Sequence, residues 1–260
     1  MREKIVEVGK GFWNIRGSFR VAGILDIGTQ ASLVRLKSGK FVFLDSYTLS
    51  KPLMRRVMKI IKHRSNVVAI LNLHPFHTVH CQSMQEAFPD ARLYGSERHQ
   101  KIAPDLHWEK TLVDEPALHQ MFAEDFRFSV PDGVDFISAN ERFHFSSVLA
   151  YHHGSRTIHV DDTLMYLKLP LIIRFFGRKS RLSFHPTLLK ALEKRSGAAA
   201  DFHQWAKTLV EAWGDAENIC AAHTAPLLSR RIKGGSISTQ IMDALERVSS
   251  KLEDHEQKYG

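Results

Sequence analysis

The segment VVAILNLHPFHTVHCQSMQEAFPDARLYGSERH, residues 67–99, decides the fold. It opens on Val67 to Leu71, an apolar run that reads as a buried strand. Three histidines follow at i, i+3 and i+6: His74, His77 and His80. If the strand ends near Leu73 and a loop or short helix begins there, the three rings can converge on one point, as metal-binding imidazoles must. The same spacing also occurs on ordinary solvated helix faces, so the rest of the chain has to decide. The pattern predicts a helix from Ser83 to Ala87, a turn at Phe88-Pro89-Asp90 and a short strand from Arg92 to Tyr94. Strand, helix, strand is the order of a layered α/β unit.

Upstream, Phe12 to Ile15, Val21 to Leu25, Ala31 to Leu36 and Phe41 to Leu44 are short apolar or alternating runs, an antiparallel ribbon with a hairpin turn at Lys37-Ser38-Gly39-Lys40. Past Asp45 the period changes: Leu53, Val57, Ile60 and Ile61 fall at helical spacing, with Ser50 as N-cap and Pro52 in the first turn. Downstream, Val134 to Ile137, Phe143 to Tyr151 and Thr157 to Val160 read as strands, the last two joined by a tight turn at His152-His153-Gly154-Ser155. Helices are predicted over Pro186 to Lys194, over Asp201 to Trp213 with Asp201 as cap, and from about Ser238 to Leu252, with a strand from Asn218 to Ala222. Two ribbon-plus-helix halves predict two sheets packed face to face with helices outside. No repeat or linker marks a boundary within 1–260, so one domain is expected.

The chain has 260 residues, 43% of them hydrophobic, enough to bury a sizeable core. No basic-then-apolar leader opens it and no apolar run reaches membrane-spanning length, so a soluble, cytoplasmic protein is the expectation. Cys81 and Cys220 are far apart and form no CxxC pair, so neither a disulfide framework nor a zinc ribbon is suggested. The net charge is +8, and one segment carries nearly all of it. Between Tyr166 and Arg195 stand Lys168, Arg174, Arg178, Lys179, Arg181, Lys190, Lys194 and Arg195 against Glu193 alone. A localised patch of this kind attracts anions, whether a phosphate or carboxylate substrate, an acidic lipid surface or nucleic acid; a solvated basic face without a partner is the plain alternative.

Four separated segments, in order, resemble the metallo-beta-lactamase-fold hydrolases. FVFLDSYTL at 41–49 is similar to that family's strand ending in a buried aspartate, here Asp45. Residues 67–99 are similar to its strand, metal motif, helix, turn and strand. SSVLAYHHGSRTIHVDDTLMYL at 146–167 resembles its "GS, strand, turn, strand, GDTL" hairpin, and ICAAHTAP at 219–226 the strand delivering the last metal histidine. The resemblance covers most of the chain. It implies a four-layer αβ/βα sandwich with two mixed sheets, helices outside and a histidine-rich cleft between the sheets.

Carried over by position, the family's HxHxDH motif puts its HxDH half on His77 to His80, with Val79 where the aspartate belongs. His74 lies one residue early, and His144 about one residue off the third histidine. Asp162 matches the bridging carboxylate of GDTL, with Asp161 in place of the glycine, and His223 matches the final histidine. The implied metal ligands are therefore His74, His77, His80, His144, Asp162 and His223, with Asp162 and His80 assigned to catalysis. Asp45 would bind backbone donors near the motif, and either Asp161 or Cys81 could substitute for the missing carboxylate. His152 and His153 are expected in a solvated turn, and His159 on a sheet face or in the core.

The implied activity is metal-dependent hydrolysis of a small anionic ester, lactone, thioester or phosphoester by a metal-bound hydroxide. The ions would be zinc, iron or manganese, one or two, with an empty site the alternative that Val79 raises. A non-catalytic member of the fold and a nucleic-acid-processing hydrolase are the competing readings. The run LPLIIRFF at 169–176, followed by GRKSR, is expected to overhang the cleft as a lid, to pack on the sheet, or to touch a membrane surface.

Overall fold

The computed structural model describes residues 3–18, 20–21, 25–26, 28–167, 180–222, 225–232 and 235–260. The N-terminal half builds a six-stranded mixed sheet in the order β1-β2-β5-β6-β7-β8, from Lys4–Gly9, Phe12–Gly17, Thr29–Arg35, Phe41–Leu44, Val67–Leu71 and Arg92–Tyr94. A small antiparallel pair, β3 (Arg20–Val21) with β4 (Leu25–Asp26), stands where the sequence predicts one strand from Val21 to Leu25. Strands β1, β2, β5 and β6 run antiparallel, and β6, β7 and β8 run parallel. The change of direction falls where α1 (Lys51–Ile61) makes the crossover that a parallel pair requires. Ser50 caps α1 by accepting from Leu53 N–H, and the helix buries Leu53, Val57 and Ile61, as its spacing predicts.

The second sheet, also mixed, has the order β15-β14-β11-β10-β9, from Leu227–Leu228, Asn218–Cys220, Thr157–His159, Leu149–His152 and Phe126–Ser129. A hairpin of β12 (Leu164–Leu167) and β13 (Arg181–Phe184) flanks it. Three apolar cores fill the gaps between four layers. Ile15, Leu33, Phe43 and Ile70 on the outer face of the first sheet meet α1 and α2 (Cys81–Ala87) through Leu53, Val57, Met84 and Phe88. Phe12, Val34, Leu44 and Leu71 face Phe126, Val148, Ala150 and Cys220 between the sheets. Leu149, Tyr151, Ile158 and Ile219 on the far face meet the long C-terminal helices through Phe202, Leu209, Ile241 and Leu245. Among the described residues the remaining α-helices, in chain order, are α3 (Glu97–Ile102), α4 (Pro116–Met121), α5 (Leu188–Ala191), α6 (Ala198–Ala212) and α7 (Ile237–Tyr259).

The structure corrects several sequence readings. Val134 to Ile137 forms no strand, only an isolated bridge between Val134 and Leu192. The strand expected from Phe143 is confined to Leu149–His152. Helix α6 begins at Ala198, capped by Gly197 at φ 81°, so Asp201 lies inside the first turn. His152 is buried, with Nδ1 accepting from Ser155 N–H (3.2 Å) and lying 2.8 Å from Ser155 Oγ, so it is packed where a solvated turn was expected, while His153 is half-buried and Gly154 exposed. No helix among the described residues is long and apolar enough to cross a membrane.

Candidate metal centre

The site lies where β7 and β11 end, at one edge of the gap between the sheets. Past Leu71 the chain leaves β7 through Asn72 and Leu73 into the histidine loop, and Asp45, just past β6, holds that exit. Asp45 Oδ1 accepts from Leu73 N–H (2.7 Å) and His74 N–H (3.4 Å), while its own N–H donates to Leu71 O (2.8 Å). Asp45 Oδ2 faces His159 Nε2 at 2.8 Å. The second-sheet contribution comes from the turn after β11, where Asp161 and Asp162 are both buried.

Three donors converge there. His74, His77 and Asp162 each offer a ligand atom, and these atoms lie within 4.8 Å of one another. Asp162 Oδ2 is 3.4 Å from His74 Nε2 and 3.5 Å from His77 Nε2, and the two rings stack with centroids 4.0 Å apart. His77 Nδ1 is 2.7 Å from Asp161 Oδ2. His77 thus bridges two carboxylates: burial disfavours its charged form, yet Asp161 and Asp162 raise its pKa well above the usual histidine value. Burial opposes ionisation of Asp161 too, but the His77 charge and hydrogen bond bring it to about 2. Asp162 is likewise lowered, against burial, by the His77 hydrogen bond and the neighbouring rings. His74, fully buried and next to His77, is pushed down to about 3 and stays neutral.

Two imidazoles and a carboxylate are the donor types a borderline divalent cation takes. The fit has a specific mark: His74 Nε2 is buried, points at the carboxylate and makes no hydrogen bond, a costly arrangement for a polar atom. Phe76 N–H donates to His74 Nδ1 (3.1 Å), which in the neutral ring puts the proton on Nε2. A cation held at Nε2 displaces that proton.

The remaining candidates lie elsewhere. His80, expected in the cluster as ligand and catalytic residue, is the N-cap position of α2; its Nδ1 is 2.8 Å from Thr48 Oγ1 and its ring packs edge-on against Tyr47. The one-residue offset explains this: the turn between His74 and His77, closed by His77 N–H to His74 O (3.0 Å), brings the first two rings together and carries His80 past them. Val79, 74% exposed, faces solvent. His144 stands one layer out, its ring 6.4 Å from that of His74. His223 lies outside the described residues. Cys81 is buried with its thiol 3.4 Å from Asn72 Oδ1, and burial pushes its pKa to about 12, so it acts as a small core residue. His159 is fully buried, 2.9 Å from Ser32 Oγ on its Nδ1 side.

His185 was not anticipated. Its ring is 5.9 Å from that of His144, and it acts electrostatically on Asp162. The pairing of β12 with β13, with Leu164 opposite Phe184, returns residue 185 to the neighbourhood of Asp162, and no local pattern in the sequence announces that pairing. The basic run from Lys168 to Lys179, with the LPLIIRFF segment, lies outside the described residues.

Two mixed sheets with helices outside make a four-layer αβ/βα sandwich, with a histidine–carboxylate cluster at the strand ends between them. It is the metallo-beta-lactamase fold. A metallo-beta-lactamase from Erythrobacter litoralis, crystallised with beta-mercaptoethanol in its active site, superposes with a TM-score of 0.60 over 94% of this chain and 96% of that one, at 13% identity. TMB-1 gives 0.62 over 95% and 98% at 11% identity. FIM-1 from Pseudomonas aeruginosa, in its mono-zinc form, gives 0.58 over 96% and 97% at 10% identity. No protein-family model matches the chain, and no curated protein matches it by sequence.

Proposed function

We propose that this chain is a metal-dependent hydrolase of a small anionic ester, lactone, thioester or phosphoester, acting at the His74–His77–Asp162 cluster. The observation that carries the reading is the buried, unpartnered His74 Nε2 facing the Asp162 carboxylate beside His77. His74, His77 and Asp162 would hold a zinc, iron or manganese ion. Such an ion supplies Lewis acidity, lowering the pKa of a water and polarising the substrate oxygen. The chain's own residues do the positioning. Asp45 fixes the backbone at Leu73 and His74, Asp162 keeps its carboxylate ionised and within reach of both rings, and Asp161 holds the outer nitrogen of His77. The His144 and His185 rings lie 5.9 Å apart beside the cluster.

A second reading, a metal-holding protein of this fold without turnover, draws on position 79: the motif's usual carboxylate is replaced by a solvent-facing valine, so a second ion has one ligand fewer. Metal analysis separates the outcomes. After loading and desalting, the parent is expected to retain about one ion per chain, and a His77→Ala, Asp162→Ala double variant almost none; less than about 0.2 ion in the parent would end the metallo-hydrolase reading. With metal retained, a panel of esters, lactones, thioesters and phosphodiesters decides between the readings, since hydrolysis lost in the double variant requires an enzyme. Salt-sensitive binding of single-stranded nucleic acid, lost on neutralising Arg178, Lys179 and Arg181, would instead favour nucleic-acid processing.

A further inference from the structure

Asp161 occupies the position that is glycine in the GDTL pattern, and it is only 4% exposed. A buried carboxylate needs a reason. Its neighbours supply one. Asp161 Oδ2 lies 2.7 Å from His77 Nδ1, and since an ionised carboxylate has no proton to give, the ring nitrogen donates. Gln30, on β5 of the opposite sheet, donates from Nε2 to Val160 O (2.8 Å) and Cys220 O (3.1 Å) and lies 3.4 Å from Asp161 Oδ1, so the carboxylate is braced across the gap between the sheets. The chain turns at this point, closed by Leu164 N–H to Asp161 O (3.2 Å), and therefore two adjacent aspartates reach one histidine from two sides.

We propose that Asp161 is a positioning residue of the metal centre: by accepting from His77 Nδ1 it fixes the ring with Nε2 toward Asp162 and His74. This rests on the metal reading above. Metal-binding imidazoles that donate their outer N–H to a carboxylate have a fixed ring orientation and a more basic inner nitrogen. The His77 side chain is 36% exposed and sits on a loop. Without Asp161, stacking on His74 and the 3.5 Å approach to Asp162 are what hold the ring among the described residues. The role is distinct from that of a ligand, and it returns to the site a second carboxylate that position 79 does not provide.

The test measures zinc affinity by chelator competition in the parent, Asp161→Ala and Asp161→Asn, and follows the His77 Nδ1–H proton by NMR in the metal-free proteins, assigned with His77→Gln. The parent is expected to show a protected Nδ1–H resonance. Asp161→Ala loses it and binds zinc about 10–100-fold more weakly; Asp161→Asn, which keeps an acceptor oxygen in place, recovers most of both. Zinc affinity in Asp161→Ala within twofold of the parent, or an Nδ1–H signal that persists in it, overturns the role while leaving the metal reading intact. Equal losses in the alanine and asparagine variants mark a general structural defect and also overturn it. A parent that takes up neither zinc, iron nor manganese overturns the metal reading, and this role with it.

Discussion

Asp45 adopts φ 61°, in the left-handed region that aspartate and asparagine tolerate better than other non-glycine residues. That conformation aims one carboxylate oxygen at the backbone of Leu73 and His74 and the other at His159. Asp45→Ala should cost about 3–5 kcal/mol, because it strands a buried histidine and a buried amide together. Asp45→Asn keeps an acceptor and the backbone preference and should cost roughly half as much; equal midpoint shifts for the two in urea unfolding would refute the argument. A different histidine sets a pH dependence. Burial, with His153 beside it, lowers the His152 pKa from 6.5 to about 4. The unfolded chain therefore takes up a proton at this site near pH 6.5 and the folded one only near pH 4. Stability present above pH 6.5 is lost as pH falls toward 4, by up to about 3 kcal/mol. His152→Asn keeps an acceptor for Ser155 but cannot titrate, so its stability should fall less steeply over that window when both proteins are unfolded in urea at stepped pH.

At the scale of elements, the join between the second sheet and its outer helices depends on Gly133. Its φ is 70°, and a Cβ built there would stand 2.0 Å from Ala198 O, at the start of α6. Gly133→Ala therefore combines backbone strain with a clash that no side-chain rotation relieves, and a loss of about 2–4 kcal/mol is expected. Gly39, also at positive φ but with only the end of the Arg35 side chain near, should lose about 1 kcal/mol on the same change; comparable melting shifts for both would show that the backbone contact is unimportant. The same contrast explains what could be read from sequence. Helix α1 was legible because its cap, proline and apolar face are local, and strands β6 and β7 because each is a short apolar run. Strand β9 was missed because its formation depends on a partner farther along the chain, β9 pairing with β10 about 20 residues on; helices α3 and α4, six residues each, are too short to show a helical period. At the site, the types and positions of His74, His77 and Asp162 were legible. The turn that gathers the first two rings and turns His80 away was not, since a one-residue offset in a loop has no sequence period to reveal it.

The two halves of the molecule meet through more than apolar contact, and this bears on how the site is assembled. Asn14, Arg16, Gln30 and Ser32 are fully or nearly fully buried, and they project from β2 and β5 into the gap between the sheets. Asn14 Nδ2 donates to Gln30 Oε1 (3.1 Å) and Ser32 Oγ (3.0 Å), Arg16 Nη1 donates to Ala221 O (2.9 Å), and Gln30 reaches Val160 O and Cys220 O. Those carbonyls stand at the ends of β11 and β14, from which the Asp161–Asp162 turn and Ala221–Ala222 depart. A purely apolar interface would let the sheets slide with little penalty, whereas directional hydrogen bonds to particular carbonyls fix their register and hence the distance from Asp162 on one sheet to His74 on the other. Gln30→Leu, similar in volume, tests this. It removes a donor from two buried carbonyls and an acceptor from Asn14, so unfolding stability should drop by about 2–4 kcal/mol, against about 1 kcal/mol for an apolar trim such as Ile15→Val in the outer core of the same sheet. If register is what the network provides, Gln30→Leu should also weaken zinc retention while Ile15→Val leaves it unchanged, although neither residue belongs to the ligand cluster. Equal zinc retention in both variants would reduce the network to a contribution to stability alone.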